Sequence, residues 1–359
     1  MKVVLEKRLE QSLKAQIGLP VLSALMALVF CGVFFALTGK DPLLVYESMF
    51  SGALGNDYGL SETFVKMIPM ALCALGIAVA FRMQIWNIGA EGQFYMGACA
   101  ATWVPLNFPD LPAAVMLPAM FVLGALAGGL WGLVAGWFKT KWLVNELIST
   151  LMMNYIAILW VDYLVYGDWR DPNGLNFPLT AGVPAFPDAA MLPSFGDLRV
   201  HAGIFVVFIA AAVFTVLFKS SRWGYETMVI GSNPAAARYA GMDIARNVLI
   251  AMFISGAVCG LAGMVEVSGI VGKLQHGISP GYGYTAIIIA WLARLNPPAI
   301  ILVSFLFAVI HVGGFMLQTM GISAAAATML QGAVLFFVVG TEIFTGYKLR
   351  IVKGGAENE

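Results

Sequence analysis

Long apolar runs separated by short polar stretches dominate the chain. A helix needs about 20 apolar residues to cross a bilayer core of ~30 Å. Ten runs approach or reach that length: residues 17–37, 64–81, 94–104, 113–138, 147–166, 202–218, 248–265, 285–295, 299–320 and 325–344. The pattern predicts an all-α, polytopic membrane protein with about ten transmembrane helices, of which the third and eighth are short. The first run is too long for a signal peptide, so we expect an uncleaved anchor.

Composition supports this class. Hydrophobic residues make up 60% of the 359 positions and charged residues 11%, whereas soluble domains average ~45–50% and ~25%. The 20 basic and 20 acidic residues cancel, which gives no indication of a nucleic-acid partner. The four cysteines lie apart in apolar runs, and the metal motif H-E-x-x-H and the ATP-binding phosphate loop are both missing. We therefore expect no metal, no cofactor and no ATP site in this chain.

The distribution of basic residues predicts the orientation. If the N-terminus is cytoplasmic, fifteen of the 20 basic residues fall at cytoplasmic positions. The five exceptions are Lys40, Lys66, Arg170, Arg199 and Lys273. Basic residues concentrate on the cytoplasmic side of membrane proteins, so we predict that both termini lie inside, N-in and C-in. One transmembrane domain then covers 1–359, with a cytoplasmic segment 1–16, an external loop 167–200, a cytoplasmic loop 219–246 and a cytoplasmic tail 345–359.

Two regions break the helical pattern, residues 81–93 and 266–283. Each combines glycines with polar residues and leads into a short apolar run. Irregular backbone survives at membrane depth only inside protein or beside a water-filled cavity. Paired broken segments in the two halves of a chain are typical of a transporter site near the midplane.

Polar residues in and near these breaks are the candidates for a solute pathway, because burying them in lipid is costly. Asn87 and Gln93 suit solute hydroxyls and interhelical contacts equally well. Trp86 suits stacking on a flat solute or a place in the interfacial aromatic belt. Glu146, Ser149 and Asn154 follow helical spacing and share one face. The candidate pathway residues are Trp86, Asn87, Glu91, Gln93, Asn145, Glu146, Asn154, Gln275, His276 and Ser279.

Glu91 has two interpretations. It lines or caps a half-helix beside the pathway, or it sits at the cytoplasmic interface and caps the run that begins near Phe94. The proximity of Arg82 favours the second interpretation.

Four stretches carry a resemblance to a known family. Residues 86–93 read WNIGAEGQ, 145–155 read NELISTLMMNY, 231–242 read GSNPAAARYAGM, and 277–284 read GISPGYGY. Together they resemble the permease subunits of ABC importers in the branched-chain amino acid and simple-sugar group, and most of all its nucleoside branch. The resemblance extends over about residues 24–344.

The resemblance implies an assembly and a mechanism. Two permease subunits, as a homodimer or heterodimer, would form the pore in the bacterial cytoplasmic (inner) membrane. Cytoplasmic ABC ATPase subunits would use ATP-Mg, and an external binding protein would deliver the solute. The loop 219–246 would be the coupling loop that contacts the ATPase. Its candidate contact residues are Asn233, Pro234, Ala236, Arg238 and Gly241.

The resemblance implies a transport subunit and no enzyme, with a nucleoside as the expected solute. The alternatives are a simple sugar such as a pentose carried by the same machinery, and an ion-coupled secondary transporter. A secondary transporter would usually carry an acidic or histidine relay across its spans. Here Asp162 and Glu266 are predicted near outer ends and Glu91 and Glu146 near inner ends, which disfavours a relay. A membrane-embedded enzyme lacks support, because no nucleophile–base pair or metal motif is recognisable.

Overall fold

A computed structural model describes residues 2–7, 13–172, 177–180, 187–196, 198–323 and 325–352. Parts of the predicted terminal segments and of the external loop 167–200 therefore lie outside the described residues. The helices are α1 (Leu13–Leu37), α2 (Pro42–Leu54), α3 (Asp57–Phe81), α4 (Ala90–Asn107), α5 (Ala113–Trp142), α6 (Glu146–Tyr166), α7 (Gly203–Ser220), α8 (Arg222–Ser232), α9 (Pro234–Tyr239), α10 (Ile244–Glu266), α11 (Tyr282–Leu292), α12 (Pro297–Thr319) and α13 (Ala325–Gly346). A 3₁₀ turn covers Asp188–Ala190, and a π-helical turn covers Val267–Val271.

The all-α, polytopic prediction is confirmed, and each of the ten predicted runs falls on a helix. Six helices in the described part of the chain are long and apolar enough to cross a membrane, or seven if α1 and α2, bent by 118°, count as one span. The total of about ten stays a prediction. The sequence pattern did not predict α2 or α8. The strands β1 (Lys2–Lys7) and β2 (Tyr347–Val352) pair antiparallel, which agrees with two termini on one side of the membrane.

The start of α3 corrects one predicted boundary. The run was expected to begin at residue 64, but the helix begins at Asp57 because the Asn56 side chain caps it, with Oδ1 accepting from the Gly59 amide at 2.6 Å. Lys66 therefore lies well inside the helix, where the sequence analysis had placed it at an outer end.

The chain divides into two compact units, Met1–Gly55 with Val309–Glu359, and Asn56–Ala308. In the first unit α1 packs along α13, and the hydroxyls of Ser23 and Thr341 are hydrogen-bonded at 2.5 Å. The Lys40 ammonium donates to the Met320 carbonyl at 2.7 Å and joins the two chain segments of this unit.

The second unit is built around α10, which packs on α3, α4 and α5. Glycines allow these helices to approach backbone to backbone. A Cβ on Gly256 would collide with the carbonyl of Gly128, and a Cβ on Gly97 would collide with the backbone of Gly260. We call these four residues the glycine seam. Small residues allow close approach of helices in membranes.

Both predicted breaks are present. The backbone leaves regular helix between α3 and α4, and again between the π-helical turn and α11. The run after the first break was expected to be short, but α4 has 18 residues. The prediction is right for α11, whose 11 residues extend about 16 Å at 1.5 Å per residue and cannot cross a ~30 Å core.

Candidate functional site

Side-chain amides form a hydrogen-bond network at the first break. Its centre is Asn87, a fully buried residue. Its Nδ2 donates to Gln93 Oε1 at 3.0 Å and to Ser255 Oγ at 2.9 Å, and its Oδ1 accepts from the Gly89 amide at 3.0 Å. Buried amides need such partners, since each unsatisfied group costs about 1–3 kcal/mol. In this structure Asn87 and Gln93 therefore serve contacts between the break, α4 and α10.

Asn154 joins α6 to the same break. Its Oδ1 accepts from the Gly92 amide at 2.8 Å, and its Nδ2 donates to the Ile88 carbonyl at 2.9 Å and to the Tyr284 hydroxyl at 3.3 Å. Thr150, one turn earlier on α6, accepts from the Ile88 amide at 3.2 Å. The side chains of α6 thus satisfy backbone that the break leaves without a helical partner.

Glu91 lies in the first turn of α4 but caps another helix. It is 2% exposed, and its Oε2 accepts from the Gly283 amide at 2.7 Å in the first turn of α11. The favoured interpretation, a cap of its own helix at the cytoplasmic interface, is wrong. A carboxylate at a helix N-terminus is stabilised by the helix dipole and by unpaired amides, which explains how it is buried. Ser279 caps the same helix, with Oγ accepting from the Gly281 and Tyr282 amides at 3.1 and 3.0 Å.

A second buried carboxylate reaches the start of α11 from the other side. Glu266 Oε1 accepts from the Tyr282 hydroxyl at 3.3 Å and lies 3.4 Å from the Lys66 ammonium, which also donates to the Tyr282 hydroxyl at 2.8 Å. Lys66 and Tyr282 are not among the pathway residues that the sequence predicts. With the correct start of α3 at Asp57, Lys66 stands out in the sequence as a lysine at the tenth position of an apolar helix. Both broken segments therefore converge on the N-terminus of α11.

The remaining candidates lie elsewhere. Trp86 is half-buried and stacks on Trp291, with ring centroids 5.2 Å apart. His276 is exposed, and its Nδ1 is 2.7 Å from Asp162 Oδ1. The neighbouring Gln275 pairs with Leu179 in an isolated β-bridge.

Asn145 and Glu146 are not brought to the Asn87 network. Asn145 is the exposed cap of α6, accepting from the Leu147 amide at 2.9 Å, and Glu146 pairs with Lys139 at 2.7 Å. Both residues line a groove of about 700 Å³ together with Arg238. Of the predicted shared face of Glu146, Ser149 and Asn154, Asn154 reaches the first break, whereas Glu146 lies in the first turn of α6, at the end of the helix.

The candidate ATPase contact residues in the loop 219–246 lie on and around the short helix α9. The Asn233 side chain caps it, with Oδ1 accepting from the Ala235 and Ala236 amides at 3.1 Å each, and Pro234 occupies the first turn. Gly241 follows with a left-handed φ of +73°. Ala236 and Arg238 are exposed. The helix therefore presents an exposed surface that includes Ala236 and Arg238.

The preceding helix α8, which the sequence did not predict, is tied to α10. Glu226 accepts from Asn247 Nδ2 at 3.0 Å and from Arg222 Nε at 2.9 Å. The hydrogen bond from Asn247 and, to a smaller extent, that from Arg222 hold the pKa of the Glu226 carboxyl below its ordinary value. The helix α8, which precedes α9, is thus fixed to the start of α10 by the Glu226 carboxylate, which stays ionised at neutral pH.

Comparison with known proteins identifies the family. The model of the family described as branched-chain amino acid transport system / permease component matches residues 59–339. The chain belongs to this family. It is a permease subunit of an ABC importer, a multi-pass protein of the cytoplasmic (inner) membrane, and not itself an enzyme.

Three relatives match over nearly their whole lengths. A glucose ABC transporter permease of Haloferax volcanii is 36% identical over 346 residues, covering 93% of this chain and 90% of that protein. A guanosine ABC transporter permease of Bacillus subtilis is 30% identical over 343 residues, covering 93% and 95%. A nucleoside ABC transporter permease of Lactococcus lactis subsp. cremoris is 28% identical over 328 residues, covering 89% and 90%. Membership implies ATPase and binding-protein partners for this permease.

Proposed function

We propose that this permease translocates an uncharged, hydroxyl-bearing ring compound, and that the compound is a nucleoside. The observation that carries the proposal is the similarity to guanosine and nucleoside permeases over about nine-tenths of the chain. The second candidate is a simple sugar such as a pentose, favoured by the glucose permease at 36% identity. Nucleosides and sugars share hydroxyl-rich rings without a net charge.

The charges around α11 support an uncharged solute. The Lys66 ammonium is balanced by the Glu266 carboxylate, and the Glu91 carboxylate lies on the positive end of the α11 dipole. A charged solute would have to compete with these pairs in a low-dielectric region, where replacing a partner costs several kcal/mol. A neutral solute meets no such penalty.

The proposed assembly contains two permease subunits, two ATPases and an external receptor. ATP-driven closure of the ATPases would press on α9 and shift the spans between two states. The populations of the two states would change because the closed ATPases bind one state more tightly than the other. The exposed surface of α9, with Ala236 and Arg238, supports contact with the ATPase. No residue of the described chain is proposed to hold a cofactor, and ATP-Mg would be bound by the partner.

ATP-driven uptake in proteoliposomes tests the proposed function. The purified complex of permease, ATPase and receptor is supplied in turn with radiolabelled guanosine, ribose and glucose. We expect ATP-dependent accumulation of guanosine that excess unlabelled nucleoside abolishes. Accumulation of ribose or glucose alone would establish the sugar alternative. Uptake that an uncoupler collapses while ATP is maintained would contradict an ATP-driven importer.

A further inference from the structure

The outward face of α6 differs from the outward face of its neighbour in sequence, α7. The exposed face of α7 is apolar through the middle of the helix, with Phe205, Phe208, Ile209, Val213 and Val216 each at least half exposed. That composition is typical of a lipid-facing surface. The exposed face of α6 also has apolar residues, among them Ile156 and Leu159 at 56% and 66% exposure, but it adds hydroxyls on Tyr155, Tyr163 and Tyr166, which are 54%, 62% and 57% exposed.

The position of Tyr155 indicates whether this face of α6 borders lipid or water. It is the tenth of the 21 residues of α6, so it lies about 14 Å from the first residue and near the middle of a ~30 Å core. Within the described residues its hydroxyl has no hydrogen-bond partner. A buried tyrosine hydroxyl normally finds a partner, and hydrocarbon offers none. A tyrosine at this depth is therefore better matched by water or by a polar solute than by lipid.

Hydrogen-bonding groups continue from Tyr155 towards the end of α6 that is predicted to be external. Tyr284, which is 37% exposed, is hydrogen-bonded to Asn154, the residue that precedes Tyr155 on α6. About two turns beyond Tyr155, Asp162 pairs with His276. At the helix end the Tyr166 ring meets the His276 ring edge-on, with centroids 6.0 Å apart. These groups form a polar and aromatic strip from mid-membrane to one surface.

We propose that this strip is a wall of the solute passage, with Tyr155 and Tyr284 contacting the solute in mid-membrane. The inference rests on the proposed function and adds contact residues to it. Each tyrosine offers a ring face for stacking on a flat ring and a hydroxyl for hydrogen bonding to solute hydroxyls. Asn154, a predicted pathway residue, is hydrogen-bonded to Tyr284 and to the Ile88 carbonyl and holds both in position behind the wall.

Thiol labelling tests whether the strip is wet. All four native cysteines are buried, so a membrane-impermeant thiol reagent has a low background on the full transporter complex. We compare Tyr155→Cys with Val213→Cys, which is 53% exposed near the middle of α7. A thiol in hydrocarbon keeps its proton, and each unit of raised pKa lowers the reactive thiolate about tenfold. We expect Tyr155→Cys to react at least about tenfold faster than Val213→Cys.

The labelling result distinguishes three possible neighbours of this face: water, lipid and a second permease subunit. Equal, slow reaction of both cysteines would overturn the wall and indicate lipid at α6. Slow reaction with a disulfide between two Tyr155→Cys permeases would also overturn it and make the face a subunit contact. Fast reaction that guanosine does not slow, but ribose or glucose does, would keep the wall and reject the nucleoside.

Uptake kinetics test the contact itself. We expect Tyr155→Ala to raise the KM for transport by about tenfold, the loss of one stacking contact. Tyr155→Phe, which keeps the ring, should raise the KM less than Tyr155→Ala does. Val213→Ala is the matched control and should change neither value. An unchanged KM in Tyr155→Ala would refute the contact even if the labelling shows a wet face.

Discussion

At the scale of single residues, the pair of Lys66 and Glu266 shows how a charged group is accommodated inside this bundle. The two residues are 200 positions apart, and the Glu266 side chain is 3% exposed. The Tyr282 hydroxyl contacts both. Removing one member of such a pair leaves the other charge buried without compensation.

Lys66→Met should therefore destabilise the permease by about 3 kcal/mol, the cost typical of breaking a buried ion pair. The double variant Lys66→Met, Glu266→Gln removes both charges and should recover part of the loss. Thermal unfolding of the detergent-solubilised complex measures both. Equal destabilisation in the single and double variants would show that the two charges are not energetically coupled.

His201 gives a prediction about pH. Its Nδ1 accepts from the Gly203 amide at 3.2 Å, and its ring lies against Gly269. Burial lowers the pKa of the imidazole from 6.5 to about 4. The folded chain therefore keeps His201 neutral where the unfolded chain would protonate it. Its contribution to stability is complete above pH ~6.5 and is lost as the pH falls towards ~4.

The melting temperature of the wild-type complex should fall as the pH is lowered from 7 to 5. In His201→Asn, which retains an acceptor near the Nδ1 position and cannot titrate, this fall should be smaller. The two proteins should show no difference in slope between pH 7 and pH 8. Identical acid slopes would remove His201 as a source of the pH dependence.

The sequence predicted where polar residues would gather but not which of them would meet. Glycines and polar side chains marked both breaks correctly, because irregular backbone at membrane depth requires them. The bond between Glu91 and Gly283 joins positions 192 apart, and nothing in a local pattern specifies such a pairing. Local position suggested a cap of α4, and tertiary packing replaced it with a cap of α11.

At the scale of helices, hydrophobic pattern was a good guide to membrane spans and a poor one to shorter helices. The amphipathic α8 lies outside any apolar run, so a search for runs omits it. The start of α2 is specified by the Asp41 cap and by Pro42 in its first turn. Neither residue belongs to an apolar run long enough to cross a membrane, so the hydrophobic pattern did not predict α2.

At the scale of helices, the glycine seam gives a testable prediction about stability. A Cβ at Gly256 would collide with the backbone of Gly128 on α5, so Gly256→Ala should force the helices apart and destabilise the permease by about 2 kcal/mol. A Cβ at Gly332, in α13, would meet no heavy atom of the described chain within 4 Å. Gly332→Ala is the matched control and should be neutral or slightly stabilising, because alanine favours helix. Equal melting temperatures for both variants would contradict close packing at the seam.

At the scale of the whole molecule, the permease depends on force delivered from outside the chain. Arg238 is exposed on α9 and belongs to the groove that also contains Glu146. An acidic surface on the ATPase is the partner that its charge would fit. The charge of Arg238 should therefore matter for coupling and little for folding.

Arg238→Glu should lower solute-stimulated ATP hydrolysis of the assembled complex several-fold while the variant still inserts and purifies normally. Arg238→Lys keeps the charge and should retain most of the stimulation. ATPase assays with and without solute-loaded receptor measure the effect. Normal stimulation in the charge-reversed variant would refute a coupling role for this residue.

The glycine seam also restricts how the permease can change shape. Where backbone lies directly on backbone, no side chains are available to repack after a slide, so α4, α5 and α10 are expected to travel as one block. A Cβ on Gly283, at the start of α11, would likewise collide with the backbone of Glu91, so the start of α11 belongs to the same block. A change of state in this permease is accordingly expected to move the block as a rigid body and not to slide one of its helices along another.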